Sequence, residues 1–129
     1  MEVSFRAKCV TPYYEGIEKK TKTLDIRLGW DWARLKAYDI VEFYNPENGC
    51  QVFCKVWYVM PFKNLGAMIG ESRVNLAAAG FESWGHLVDT LLRMYEPQDE
   101  GQWSAHELPA FVIWLERPPW WPWKDEVMS

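Results

Sequence analysis

The chain is poor in the residues that build metal centres and disulfide frameworks. Only three cysteines occur in 129 residues, Cys9, Cys50 and Cys54, and an odd number suits reduced thiols better than a set of bridges. Histidine is scarcer still: His86 and His106 stand twenty residues apart, so Cys50 and Cys54 lack the two further ligands of a tetrahedral zinc site. Neither a metal nor a cofactor is expected. Long apolar runs are missing as well. Charges at Glu2, Arg6 and Lys8 interrupt the first residues, which leaves no signal-peptide core and no membrane span, and a cytoplasmic location without membrane contact is the expectation.

What the chain has in excess is tryptophan, with nine residues, a side chain that fills cores, stacks on flat ligands and anchors interfaces alike. Its length fits one domain. The net charge of −4 argues against tight binding of long nucleic acid, but the charge is uneven. Residues 1–36 carry eight Lys and Arg against five acids, and the remainder carries six against thirteen. A local basic face on an acidic protein is suited to a single phosphate or carboxylate, or is simply a solvated surface.

Hydrophobic periodicity divides the chain. Val3, Phe5, Ala7 and Cys9 alternate with polar residues and predict a first strand; Thr11-Pro12 opens a short helix over Tyr13 to Ile17. Alternation returns from Thr23 to Leu28, with Leu24, Ile26 and Leu28 on one side and Thr23, Asp25 and Arg27 on a polar side. Gly29 to Tyr38 has neither period and predicts a loop. Ile40 to Tyr44 is a third strand, stopped by Asn45-Pro46 and Asn48-Gly49, and Gln51 to Met60 reads as one fourth strand in a hairpin with it. Phe62 to Gly70 predicts a short helix. Trp84, Leu87, Val88, Leu91, Leu92 and Tyr95 give the strongest helical stripe, with Ser83 as N-cap and His86 where a capping-box Glu would stand. Pro97 to Ser104 breaks structure, and Phe111 to Glu116 is a last, buried strand. Strands, helices and a final strand imply an α+β domain over residues 1–116. Residues 117–129 form a Pro/Trp-rich tail, which proline keeps out of sheet interiors; its tryptophans either lie back over the domain or dock on a partner or a second copy.

The candidate chemistry gathers between Ile17 and Arg27. Asp25 and Arg27 share a strand face about 7 Å apart, with Lys22 near the strand entrance. Arg offers a planar fork for phosphate or a base edge, Lys a point charge, and Asp an acceptor for an amino group, and a nucleotide presents all three complements. An ordinary same-face ion pair is the competing reading of Asp25 and Arg27. Tyr44, Trp57 and Tyr58 are candidates to stack on a base or to fill the core, and Arg73 is a candidate for a phosphate.

The pattern Ile17, Lys22, Thr23, Asp25, Arg27 resembles the signature of ASCH (activating-signal-cointegrator homology) domains, with Lys20 in place of the usual glycine and Asp25 in place of the usual glutamate. Tyr38-Asp39 before the Ile40 to Tyr44 strand, Ala79 to Trp84 leading into a helix, and the Phe111 to Glu116 strand are similar to further elements of that family, so the likeness spans residues 3–116. It implies a PUA-like small mixed β-barrel with flanking helices and a cleft, lined by the Lys22, Asp25 and Arg27 strand, for RNA, a short single strand or a (modified) nucleotide; with the candidates named above, the expected nucleotide-binding residues are Lys22, Thr23, Asp25, Arg27, Tyr44, Trp57 and Arg73. Some relatives are amidohydrolases of acetylated cytidine or ribonucleases. In the amidohydrolase-like members a Lys and a Thr act with a Glu; Lys22 matches, while Asp25 stands at the threonine position and His86 near that of the glutamate. A hydrolytic variant would therefore use Lys22, Asp25 and His86, as oxyanion donor, base and acid.

Overall fold

The computed structural model describes residues 2–95 and 104–120. Among these, six strands and four helices follow in the order β1 (Phe5–Lys8), α1 (Tyr13–Glu18), β2 (Leu24–Leu28), β3 (Ile40–Tyr44), β4 (Gln51–Lys55), β5 (Tyr58–Phe62), α2 (Leu65–Met68), α3 (Leu76–Ala79), α4 (Trp84–Met94) and β6 (Ala110–Trp114). The fold is α+β. Its strands pair into two three-stranded sheets, β1-β3-β4 and β2-β6-β5, and among the described residues the pairing does not close them into a barrel.

In the first sheet β1 runs parallel to β3, and β3 turns through Asn45–Gly49 into antiparallel β4. Asn45 makes that turn: it is fully buried, its side-chain amide donates to Thr11 Oγ1 and its side-chain oxygen accepts from the Glu47 N–H. The second sheet is antiparallel throughout, with β6 between β2 and β5.

The stretch expected as one strand from Gln51 to Met60 is two strands in two different sheets. Its break lies between adjacent residues: the Val56 N–H donates to Asp39 O beside the first sheet, and the Trp57 N–H donates to Trp114 O of the second. Continuous β-propensity conceals the switch because both halves are equally rich in strand-forming residues. The second half continues through Pro61 to Phe62, which an edge strand tolerates, since proline's missing N–H costs nothing where no neighbour awaits it. The expected loop at 29–38 contains a 3-10 turn, Trp30–Arg34, and α3 is a single turn that no periodicity announced.

β6 is buried along its whole length because its two faces serve two cores. Ala110, Val112 and Trp114 pack with Leu24 and Ile26 of β2, Met60 of β5 and Leu87 of α4. Phe111, Ile113 and Leu115 pack with Ala7, Tyr14, Ile17, Val41 and Phe43 beside the first sheet. The opposite face of β2, read from the sequence as polar, points into this crowded region rather than into solvent: Asp25 is only 5% exposed.

Candidate functional site

A cavity of about 480 Å³, a volume typical of small-ligand sites, opens beside that face of β2. Lys22, Asp25 and Arg27 line it together, as the sequence spacing anticipated. Arg27 Nε donates to Asp25 Oδ2 at 2.6 Å and Arg27 Nη1 to the Lys8 carbonyl at 3.0 Å, which ties β2 to the end of β1. The guanidinium also lies 5.3 Å from the Trp32 ring centroid and 5.7 Å from that of Phe43, within cation–π reach. The competing ion-pair reading is thus correct as geometry, but the pair is enclosed rather than solvated.

Lys22 is buried from the other side. Its ammonium donates to the carbonyls of Leu24 at 2.7 Å and Ala79 at 2.8 Å and stands 3.7 Å from Asp25 Oδ1, between the Tyr13 and Phe81 rings at 5.9 and 5.8 Å. A cation on the last carbonyls of a helix complements its orphan acceptors, and here Lys22 closes the end of α3. Burial lowers the Lys22 pKa below the ordinary lysine value, with Asp25 opposing that shift. At Arg27 burial again opposes the charge, yet the Asp25 carboxylate holds the pKa above the ordinary value. One carboxylate between two cations leaves the cluster with a net positive charge.

Gly80 makes this approach possible. It follows α3 at φ 92°, in the left-handed region, where its N–H returns to Ala77 O; a Cβ there would meet the Tyr13 ring at 3.5 Å and the Lys22 side chain at 3.9 Å. The chain then delivers Phe81 to the cavity wall. Cys9 lines the same wall, and its thiol is pushed up to about 11 by burial first and by Asp25 second.

The other candidates lie elsewhere. Thr23 is fixed by its backbone, its N–H on Ala78 O and its carbonyl accepting from Leu115, and with Trp57 it lines a second, smaller groove. Tyr44 lies under the Arg6 guanidinium at 3.9 Å. Arg73 is held by Glu71 at 2.9 Å and reaches over the Trp120 ring. His86 is not among the cavity residues. It stands behind Phe81, ring centroids 5.2 Å apart, and its Nδ1 accepts the Glu82 N–H at 3.2 Å. The aromatic walls of the cavity are instead Tyr13, Trp32, Phe81 and Tyr95. Sequence reasoning passed over them: Trp32 sits in a segment without periodicity, and Tyr13 and Phe81 meet, 5.7 Å apart, only in the fold. Among the described residues no group of three or more His, Cys, Asp and Glu is placed to hold a metal ion, and no helix is long and apolar enough to cross a membrane.

No protein-family model matches the chain, and no curated protein matches it. Among solved structures, the crystal structure of hypothetical protein PH0355 superposes with a TM-score of 0.63 at 18% identity, covering 87% of this chain and 96% of that one. At that identity the likeness is one of fold: this chain is similar to PH0355 in the arrangement of a small α+β domain.

Proposed function

We propose that the chain is an ASCH-type domain whose two sheets are the parts of an open PUA-like barrel, and that it binds a nucleotide or modified nucleoside in the cavity beside β2. The observation that carries this reading is the enclosed Lys22–Asp25–Arg27 cluster on the wall of an aromatic-lined cavity. A base against a ring such as Trp32 or Tyr13, both of which line the cavity, gains stacking energy. Asp25 has lone pairs left for an amino group, and Arg27 has N–H groups beyond the two used on Asp25 and Lys8 for a phosphate or carbonyl oxygen. RNA would be engaged through a single-stranded nucleotide, whose exposed base such a cavity suits better than a stacked duplex.

Hydrolysis of a modified nucleoside or of RNA is a second reading of the same site. It is favoured by Lys22, whose pKa is lowered by burial next to a carboxylate at a cavity wall, an arrangement common at catalytic centres. Lys22 would then stabilise developing negative charge and Asp25 would take a proton.

Thermal-shift and mass-spectrometric screening of wild type and Arg27→Ala against nucleosides, modified nucleosides, nucleotides and short single-stranded RNA tests both. Arg27→Ala leaves Asp25 paired with Lys22, so the fold keeps a neutral cluster. Wild type is expected to be stabilised by a ligand of unchanged mass, with affinity about 10- to 100-fold weaker in the variant, the loss of charge-assisted hydrogen bonds. A change in ligand mass establishes the hydrolase reading. Equal shifts in both proteins, or none, refute the site.

A further inference from the structure

β4 pairs with β3 on one side, and among the described residues no strand pairs with it on the other. An open sheet edge presents unmet N–H and C=O groups and is a template for another strand. The remaining sheet edges are blunted. On β1 the Lys8 carbonyl accepts from Arg27, on β2 the Leu24 carbonyl accepts from Lys22, and β5 carries Pro61, which has no N–H to offer. We infer that β4 is a self-association edge, on which the β4 of a second copy of this chain pairs antiparallel across a two-fold axis at Phe53.

The backbone of β4 sets this register. The Cys50 carbonyl accepts from Asn45, while Val56 donates to Asp39 and accepts from Tyr38, so both residues bond on the β3 side. Alternation then turns the N–H and C=O groups of Gln51, Phe53 and Lys55 to the open edge, and those of Val52 and Cys54 to β3. With the axis at Phe53, that residue exchanges both bonds with its own copy, and Gln51 exchanges them with the copy's Lys55. Such an interface is isologous: one strand serves as both halves.

The side chains are self-complementary as well. Gln51, Phe53 and Lys55 lie on the outer face, while Val52 and Cys54 pack on the core. Phe53 is 41% exposed at the centre of the strand, and the axis sets it against a second phenylalanine. Lysine on an edge usually keeps like strands apart. Here the register puts Lys55 opposite the neutral Gln51 and diagonal to the copy's Phe53, never opposite another lysine. A groove of about 240 Å³ borders the edge, with Phe53 and Lys55 in its wall. Lys22 is committed to Asp25, so the groove's other lysines, Lys20 and Lys55, balance Glu18 and Glu116. That balance favours neither a polyanion nor a polycation, but each copy's lysines complement the other's glutamates.

Sedimentation equilibrium of the full chain, from micromolar to millimolar protein, tests the edge. A contact made by one short strand is of the weak, transient class, so the apparent mass should climb from 15.2 kDa toward twice that value only in the upper part of the range. Amide exchange at Gln51, Phe53 and Lys55 should slow over the same range, and at Val52 and Cys54 it should not. Phe53→Pro removes the central N–H where an edge tolerates proline, and should weaken the dimer about 10- to 100-fold. Gln51→Glu sets a carboxylate opposite the copy's Lys55 on both sides of the axis and should tighten the dimer about 2- to 10-fold, whereas Gln51→Lys should weaken it by a similar factor. Gln51 is exposed, so these two variants carry the test even where the proline variant fails to fold. The cavity beside β2 takes no lining residue from β4, and its ligand affinity should be the same in all three. A chain that stays monomeric to millimolar concentration overturns the inference, and so does one whose edge takes up an extended peptide of another protein in place of its copy. A dimer indifferent to the charge at position 51 overturns it equally.

Discussion

Cys9 ends the first strand segment at the cavity wall, 4% exposed, in the company of Asp25 and Arg27. Its thiol is raised from 9.0 to about 11, chiefly by burial. The sign of the consequence is fixed by linkage: the unfolded chain loses the proton at the ordinary value while the folded chain keeps it, so the contribution is full below pH 9 and is lost as pH rises toward 11. Between pH 8 and 10.5 the difference in unfolding free energy between wild type and Cys9→Ala, measured in urea, should shrink by about 2 kcal/mol. A difference that does not change with pH would show that the thiol titrates normally. The charges around Cys9 illustrate what a residue's sequence context reveals. Alternation alone put Asp25 and Arg27 on one face, and they are there, 2.6 Å apart. Alternation could not show that the face is enclosed, because burial depends on β1 and on Phe81, which arrive from distant parts of the chain. Nor could it find the Ala79 carbonyl that accepts from Lys22, 57 residues away.

At the scale of elements, α4 was the most legible, and its start shows why. Ser83 Oγ accepts the His86 N–H at 3.0 Å, and His86 Nδ1 accepts the Glu82 N–H at 3.2 Å, so the imidazole takes the part of the missing capping-box glutamate, one residue further out. Both bonds are local and therefore visible in the sequence. Ser83→Ala should cost about 1 kcal/mol, read as a fall of roughly 3–5 °C in thermal denaturation, with the cavity's ligand affinity unchanged because α4 reaches the cavity only at its far end, through Leu91, Met94 and Tyr95. A fall in affinity at constant stability would instead assign Ser83 or His86 to the site. Elements that were not legible lack such local signals. α3 is four residues long, too short for a period, though Asn75 caps it through the Ala78 N–H at 3.1 Å. The division of 51–62 into two strands is set by where Asp39 and Trp114 offer acceptors, not by the residues at the break.

For the whole molecule, the order of elements was enough to give the α+β class, since strands followed by helices and a last strand cannot make a regular parallel sheet. The packing of two cores against the opposite faces of β6 was not, because the run Ala110–Trp114 is apolar at every position and has no alternation from which to read its faces. The same organisation decides what the segment after β6 does. Part of the Pro/Trp tail lies outside the described residues, including Trp121 and Trp123, but Trp120 packs on the first core, edge-on to Tyr58 at 5.2 Å and to Trp114 at 5.6 Å, while Pro118 is buried. Tyr58 and Trp114 are partners in the β5–β6 register, so Trp120 covers the end of the second sheet near Trp57, where the chain crosses between sheets. Trp120→Ala should therefore lower the unfolding free energy by about 2–3 kcal/mol, as expected for removing a large, partly buried ring from a core edge. Truncation after Glu116 should lower it at least as much. If the tail served mainly as an arm for another chain, the urea midpoint would stay where it is and sedimentation would show the change instead; a lower midpoint with an unaltered sedimentation coefficient assigns Trp120 to the domain itself.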